Sequence, residues 1–410
     1  MSPQKVTPGG IDTVSDLRVG VVGVGQRAAL ARLVATPASG ARVVGCADPH
    51  PGGKRYTAEL FGPDVPVFDD HRALLEQDLD AVMVFTPDDA HTAPVLAALT
   101  AGVAVFVEKP LAISIADCDE VLQTARATGS RLYVGHNLRH LPLLRRMKEL
   151  IEQGVIGEVK SIWCRHFVGH GGDYYFRDWH ADRRHTLGLL LQKGAHDLDV
   201  IHWLAGAPSR QVVAMGALQV YGNIDRRRTN PEPPGAAMGD WFDPQQWPPT
   251  ELDQLNPVVD VEDLSMMLVR LSNGVLASYQ QCHYTPDYWR NYTVIGDRGR
   301  MENFGDTVSD SAGTIKVWNQ RRSGYREDAD LSIPVQPSEG SHGGADAAIV
   351  AEFLRFVRSG GVTDTSPVAA REAVAAGVAA TRSLRSGSVP VDITPLATDL
   401  VDYFARGQTR

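Results

Sequence analysis

From Leu17 to about Ala112 the chain alternates short, continuously apolar runs with helix-like stretches. The runs are LRVGVVGVG, ARVVGCAD, PVFD, DAVMVFTP and VAVFVEKP, and between them lie QRAALARLVA, KRYTAELFG, HRALLEQ and HTAPVLAALTAG. A strand whose successive residues are all apolar is buried on both faces, the condition of a parallel sheet covered by helices on each side. The pattern predicts a doubly wound, Rossmann-type α/β domain. A further helix over 112–130 and the strand RLYVGHN complete it, setting this domain at 17–141 behind a frayed polar tail at 1–16.

Beyond Leu141 the period changes. A helix, LPLLRRMKELIEQG, leads into runs that alternate apolar and polar positions: EVKSIWCRHF, QVVAMGALQVYG, SMMLVRLSNGVLASYQQCH, NYTVIG, GRMENF and GTIKVWNQ. Alternation implies a mainly antiparallel, open sheet with helices on one face, and Asn273-Gly274 predicts a tight hairpin turn built on positive φ angles. Two helices, in ADAAIVAEFLRFVRSG and SPVAAREAVAAGVAATRSLRSG, follow His342. We expect an α+β domain over 142–385 and a C-terminal extension over 386–410. Within the domain, 222–258 reads as a loop, since residues 231–257 hold seven of the 25 prolines together with Trp241 and Trp247. Prolines that dense forbid helix and central strand, and so long a loop is either a lid or oligomer contact or a passive insertion.

Composition narrows the function. A length of 410 residues suggests two or three domains, and 43% apolar with 22% charged residues suffices for sizeable cores. Forty basic against 49 acidic residues give a net charge of −9, which supplies no drive toward nucleic acid or an anionic membrane. Cys46, Cys118, Cys164 and Cys282 are scattered, so neither a disulfide framework nor a metal site is signalled. Residues 1–16 contain no apolar leader segment, and no run approaches a membrane span. The expected location is the cytoplasm.

Gly23-x-Gly25-x-x-Ala28 follows the first strand and opens the first helix. The first glycine permits a tight turn, the second lets a pyrophosphate approach the backbone, and the small third residue allows close packing. Gln26 and Arg27 sit at that helix N-terminus, where unpaired N–H groups favour phosphate. Asp48 ends the second strand, where a carboxylate accepts hydrogen bonds from an adenine ribose and repels a 2′-phosphate. NAD is therefore expected, with Arg27, Lys54 and Arg55 as the features that would suit NADP instead. A helix-cap role for Asp48 is the plain alternative.

Three further motifs, Thr86-Pro87-Asp88-Asp89-Ala90-His91, Ala101-Gly102 and Glu108-Lys109-Pro110, precede a set in the second domain: Gly188 through Gly194-Ala195-His196 to Asp199, Ile295-Gly296-Asp297-Arg298-Gly299, and Ser341 to Asp346. In this order, over roughly 17–385, they resemble the signature of the Gfo/Idh/MocA oxidoreductases, the family of glucose–fructose oxidoreductase and inositol dehydrogenase. The resemblance implies NAD lying along Thr86, Pro87, His91, Glu108, Lys109 and Asn137. It implies Lys109 orienting substrate and nicotinamide, His196 as acid/base, His342 near substrate, and a homodimer or homotetramer built through the open sheet. The chemistry agrees: hydride removal from an alcohol carbon requires the hydroxyl proton to leave, which suits an imidazole, and an ammonium stabilises the developing alkoxide. A salt-bridging Lys109 and a core or capping His196 are the competing structural readings.

One position departs from the family pattern. Four residues before His196, where an Asp is expected, stands Gln192, followed by Lys193. A neutral amide does not raise an imidazole pKa, and an inward Lys193 would lower it. Gln192 and Lys193 are therefore expected to bind substrate oxygens, unless Lys193 is merely solvated. Tyr174, Tyr175, Arg177, Trp179, His180, Arg183 and His185 form an aromatic and cationic group suited to a sugar face and to an acidic substituent, or else a polar surface run. Two reactions remain open. One is NAD-dependent oxidation or reduction of a sugar, glycoside or cyclitol hydroxyl. The other is redox-neutral glycoside cleavage: oxidation, elimination of the aglycone, water addition and re-reduction, conceivably of a sulfonated or uronic glycoside. A dinucleotide sensor without catalysis would retain the glycines but have no use for Lys109 and His196.

Overall fold

The computed structural model describes residues 16–36, 39–229, 245–308 and 312–409. All but Asp16 of the expected polar tail, and residues 230–244 of the proline-rich segment with Trp241, lie outside the described residues.

The continuous apolar runs form a six-stranded sheet: β1 (Leu17–Val22), β2 (Ala41–Ala47), β3 (Val67–Phe68), β4 (Ala81–Val84), β5 (Ala104–Val107) and β6 (Leu132–Val134). Their spatial order is β3-β2-β1-β4-β5-β6, every pair parallel. β1 and β4 are central, so the loops at their C-terminal ends flank the crevice where such sheets bind ligands. The first crossover, Gln26–Ala35, winds as a 3-10 helix rather than an α-helix.

One face of this sheet is covered by Val95, Leu99, Val121 and Leu122 from successive helices. On the other face, the helix Ala345–Ser359 inserts Ile349, Val350, Phe353 and Phe356. Phe353 lies 5.5 Å from the Phe106 ring and 5.7 Å from that of Tyr133. A segment from near the end of the chain thus completes the first domain's core, and the extension's helix Thr398–Ala405 packs there with Leu400, Tyr403 and Phe404.

The alternating runs form a nine-stranded sheet from β7 (Val159–Val168), β8 (Ser209–Ala217), β9 (Leu264–Leu271), β10 (Leu276–Cys282), β11 (Tyr288–Gly296), β12 (Arg300–Phe304), β13 (Gly313–Trp318), β14 (Leu331–Val335) and β15 (Val391–Asp392). The order is β14-β13-β12-β11-β7-β10-β9-β8-β15, antiparallel except for the central β7–β10 pair. β9 and β10 are joined at Asn273-Gly274 as expected, but only Gly274 takes a positive φ, +87°. The Gly274 N–H bonds to the Leu271 carbonyl at 3.0 Å, so the connection is an ordinary turn with a left-handed glycine rather than the two-residue mirror-image turn.

Helices Pro142–Glu152, Gly194–Ala205 and Pro367–Arg385 cover the inner face, while Trp163, Met215, Met266, Leu268 and Leu276 on the outer face are about half exposed. The alanine-rich helix Pro367–Arg385 serves both cores: Ala373, Ala376 and Ala380 face the large sheet, and Ala370 and Val374 face the first domain. A Cβ at Gly377 would lie 2.8 Å from the Leu191 Cα, so the helix approaches the 189–192 segment as closely as backbone permits. That contact seats Gln192 and Lys193 at the junction of the two sheets. Among the described residues, no helix is long and apolar enough to cross a membrane.

Truncating Phe353 to Ala removes a fully buried ring from the first domain's core and is expected to cost about 3–5 kcal/mol in urea unfolding. A loss below about 1 kcal/mol would show that the helix merely rests on that domain.

Candidate active site

The glycine loop is built for a close approach. Gly23 has φ +83°, and a Cβ there would fall 2.7 Å from the Thr86 backbone nitrogen, so only glycine allows β1 to turn beneath the end of β4. A Cβ on Gly25 would meet nothing within 4 Å: its backbone faces open space. Ala28 is fully buried. Asp48 Oδ2 accepts from Val24 N–H at 2.7 Å and Oδ1 from His50 N–H at 2.8 Å, which orients the carboxylate while each oxygen keeps a second lone pair. Thr86 Oγ1 and Asn137 Oδ1 are buried without hydrogen-bond partners. A tight turn, an open glycine backbone, a strand-end acid and orphaned polar atoms fit a dinucleotide. Gly23, Gly25, Gln26, Asp48, Thr86, Pro87 and Asn137 would hold it, and bound NAD supplies a hydride acceptor.

Two residues expected along the cofactor have other work. Arg27 does not stand free for a 2′-phosphate: it pairs with Glu108 Oε1 at 2.6 Å and, through both terminal nitrogens, with Asp346 at 2.8 and 2.9 Å. His91 is enclosed, its Nδ1 2.7 Å from the Pro110 carbonyl oxygen and its Nε2 3.0 Å from that of Thr86, bracing two loops. Asp346 also accepts from Asn137 Nδ2 at 3.2 Å and Ser341 Oγ at 2.6 Å, with His342 Nδ1 at 2.9 Å. His342 therefore belongs to this first-domain cluster, not to the group around His196.

Glu108 in turn receives the Lys109 N–H at 3.0 Å, and Lys109 Nζ donates to the Gln192 carbonyl at 3.0 Å. Burial lowers the Lys109 pKa against the pull of Asp88 and Glu108. Burial likewise pushes the Asp88 carboxyl up to about 8, with Lys109 the main opposing charge and Gln192 beside it. The Gln192 amide thus neighbours Asp88 rather than continuing a relay through His196. Asp199, expected on the same face, is taken by Arg139, which holds both its oxygens at 2.7 Å.

The helix Gly194–Ala205 starts at Lys193 and seats Gly194 against β10, where a Cβ would lie 3.1 Å from Tyr279 Cε1. His196 faces the junction. Its pKa is held well below the ordinary value by burial, then by Lys109, Arg290 and Lys193, and its Nδ1 has no hydrogen-bond partner. Lys193 is lowered by burial, Arg290 and Lys109, and its Nζ rests 5.2 Å from the Tyr175 ring centre and 6.0 Å from that of Tyr288. Lys109, Lys193, His196 and Tyr175 are therefore brought together, as the sequence suggested.

Beneath them lies a network that the sequence reading missed. Asp197 accepts from Tyr279 Oη at 2.9 Å and Tyr292 Oη at 2.5 Å, meets His166 Nδ1 at 2.9 Å, and pairs with Arg290 Nε at 3.1 Å. Burial alone would raise its pKa; His166 and Arg290 more than offset this and hold it below the usual carboxylate range. Asp197 lies inside the quoted Gly188–Asp199 motif. Arg290 shares its strand face with Tyr292 and Val294, so a charged residue in phase with the buried positions of β11 was the available signal.

The upstream aromatic and cationic group divides. Trp179 stacks on His180 at 3.7 Å, and His180 packs 4.8 Å from the Tyr175 ring at the border of the site. Arg177 and Arg183, expected to bind an acidic substituent, are engaged elsewhere. Arg177 donates to the Asp253 carbonyl at 3.0 Å and Gln246 Oε1 at 2.6 Å, tying down the proline-rich loop, and Arg183 pairs with Asp260 at 2.8 Å on the surface. His185 meets Asp89 at 3.0 Å, linking the two domains.

Residues 17–136 match the Gfo/Idh/MocA model described as the oxidoreductase family's NAD-binding Rossmann fold, and residues 148–393 match that family's C-terminal alpha/beta domain. The chain is 32% identical to 2,7-anhydro-N-acetylneuraminate hydratase of Mediterraneibacter gnavus over 54% of each protein. It is 34% identical to inositol 2-dehydrogenase of Burkholderia multivorans over 48% of this chain and 57% of that one. It therefore spans only about half the length of these two relatives. Among solved structures, levoglucosan dehydrogenase in complex with NADH and levoglucosan superposes with a TM-score of 0.73 at 19% identity, covering 93% of this chain and 100% of that one. At that identity the likeness is one of fold.

Seven histidines, 91, 136, 166, 180, 196, 202 and 283, are held below their ordinary pKa by burial, His166 to about 3 and His202 to about 4. Below about pH 6.5 the unfolded chain takes up protons that these rings refuse in the fold, so stability falls with falling pH. Scanning calorimetry should show Tm dropping steeply between about pH 6.5 and 4. A flat profile would mean the imidazoles are protonated in the folded protein.

Proposed function

The chain belongs to the Gfo/Idh/MocA oxidoreductase family, and from that premise we propose that it is an NAD-dependent oxidoreductase acting on a hydroxyl of a sugar, glycoside or cyclitol. The observation that carries this reading is the convergence of a partly buried Lys109 ammonium and a neutral His196 imidazole at the junction between the dinucleotide crevice and the large sheet. Lys109 stabilises negative charge developing on the substrate oxygen, which is worth most where water is excluded. His196, kept neutral by burial and by the cations around it, accepts the hydroxyl proton; reduction runs the same steps backward. Asp48 favours NAD over NADP by charge. The outer face of the large sheet, with Trp163, Met215 and Leu268, is the surface through which we propose a homodimer or homotetramer, and the free cysteines fit a reducing cytoplasm.

A second reading, redox-neutral glycoside cleavage, is favoured by one observation: among its relatives this chain is similar to a hydratase as well as to dehydrogenases. Such a reaction oxidises one ring hydroxyl to a ketone, and a base then removes the acidified neighbouring C–H as the aglycone departs. Water adds to the resulting double bond, and the stored hydride returns to the ketone.

A screen of free sugars, cyclitols and 4-nitrophenyl glycosides, read for both NADH absorbance and nitrophenol, separates the two. The first reading expects NADH in stoichiometric amounts; the second expects nitrophenol with catalytic NAD and no net NADH. In either case His196→Asn should lower kcat by about 10²–10⁴-fold, the usual span for a lost acid/base. Activity within about threefold of the native level would remove His196 from the proton transfer.

A further inference from the structure

Three cations converge on His196. Lys109, Lys193 and Arg290 all depress the His196 pKa. The carboxylates within their reach are already engaged. Asp197 is filled by His166, two tyrosine hydroxyls and Arg290. Asp306 accepts the backbone N–H groups of Arg290 at 3.2 Å and Val308 at 3.1 Å. Glu108 is bound by Arg27 and the Lys109 N–H, and burial drives Asp88 toward its neutral form.

Lys193 is the cation left over. It forms no hydrogen bond or ion pair with any described residue; its Nζ lies over the faces of Tyr175 and Tyr288. A partly buried ammonium with only ring quadrupoles for company is a poor structural element and a good anion receptor. Resting on the oxidoreductase reading above, we infer that the substrate is a carboxylate-bearing sugar of the uronic-acid class and that Lys193, with Arg290 beside it, receives the carboxylate. One negative charge balances the one unpaired ammonium, whereas a phosphate dianion would exceed it. Burial raises the pKa of the Tyr175 hydroxyl, so it stays protonated and able to donate toward such a group. Arg177 and Arg183, the more obvious anion readers in the chain, are committed to Asp253, Gln246 and Asp260.

The test is calorimetric titration of the NAD-loaded protein with pairs that differ only at C6: D-glucuronate against D-glucose, and D-galacturonate against D-galactose. Turnover of the corresponding 4-nitrophenyl glycosides is followed in parallel. The carboxylated member of at least one pair should bind about 10- to 100-fold more tightly, the span of a hydrogen bond to a charged group. Lys193→Met should cut that preference at least about tenfold, and Lys193→Arg should restore part of it. Neutral sugars binding as well as or better than their uronates in both pairs, absence of uronate binding, or a Lys193→Met variant that weakens both members equally would each overturn the inference. The matched-pair preference of the native protein stands as a test even if a variant fails to fold. Selective uronate binding with neither NADH nor nitrophenol would keep the inference and defeat the reaction assigned above. Oxidation of neutral sugars in preference would do the reverse.

Discussion

Arg27 is the interaction on which the site depends. Its guanidinium lies between Glu108 at the end of β5 and Asp346 at the start of the helix that closes the first domain, so three segments distant in sequence are fixed by one side chain. The two carboxylates are 9% and 4% exposed, which makes their loss of a partner expensive although Arg27 itself is partly open to solvent. Glu108 passes the constraint to the Lys109 backbone, and Asp346 passes it to Asn137. The glycine loop, the Lys109 turn and the crossover strand are thus held in one frame. Reacting groups must be positioned to a fraction of an ångström, and a bidentate charge pair between rigid elements is suited to that task.

The second domain answers with a frame of its own. Asp197, beneath His196, gathers ligands from β7, β10 and β11, so the helix carrying His196 is anchored to the centre of the large sheet. Buried carboxylates thus fix a reactive group on each side: Glu108 holds the Lys109 backbone, and Asp197 holds the helix turn that carries His196. The two frames meet where Lys109 Nζ reaches the Gln192 carbonyl. Burial and the cations gathered there keep His196 neutral, which a base requires, and Lys193 has no anionic partner among the described residues.

Much of this was legible in the amino-acid order. Continuous against alternating apolar runs distinguished the two sheets, because burial on two faces or one dictates that pattern. Gly23, Asp48, Lys109 and His196 stood in motifs short enough to be read locally. What could not be read was pairing over distance. Arg177 and Arg183 have the side chains for anion recognition, but Asp253, Gln246 and Asp260, some seventy residues further on, claim them. The helix at 345–359, expected in the second domain, buries its apolar face against the first sheet, because periodicity announces a buried face without saying against which sheet. Arg290 stands just before the run NYTVIG, and only the pairing of β11 with β7 brings it to Asp197 beneath His196.

In this reading Lys109 serves the reacting oxygen rather than merely holding the fold or the dinucleotide. Its most direct test sets NAD affinity, by titration calorimetry, beside NADH formation in a single turnover for Lys109→Met, using any substrate found in the screen. NAD affinity should stay within about threefold of native while the single-turnover rate falls by at least about 10³-fold, the scale of a lost electrostatic stabiliser. Equal losses in both, or a rate little changed, would contradict it.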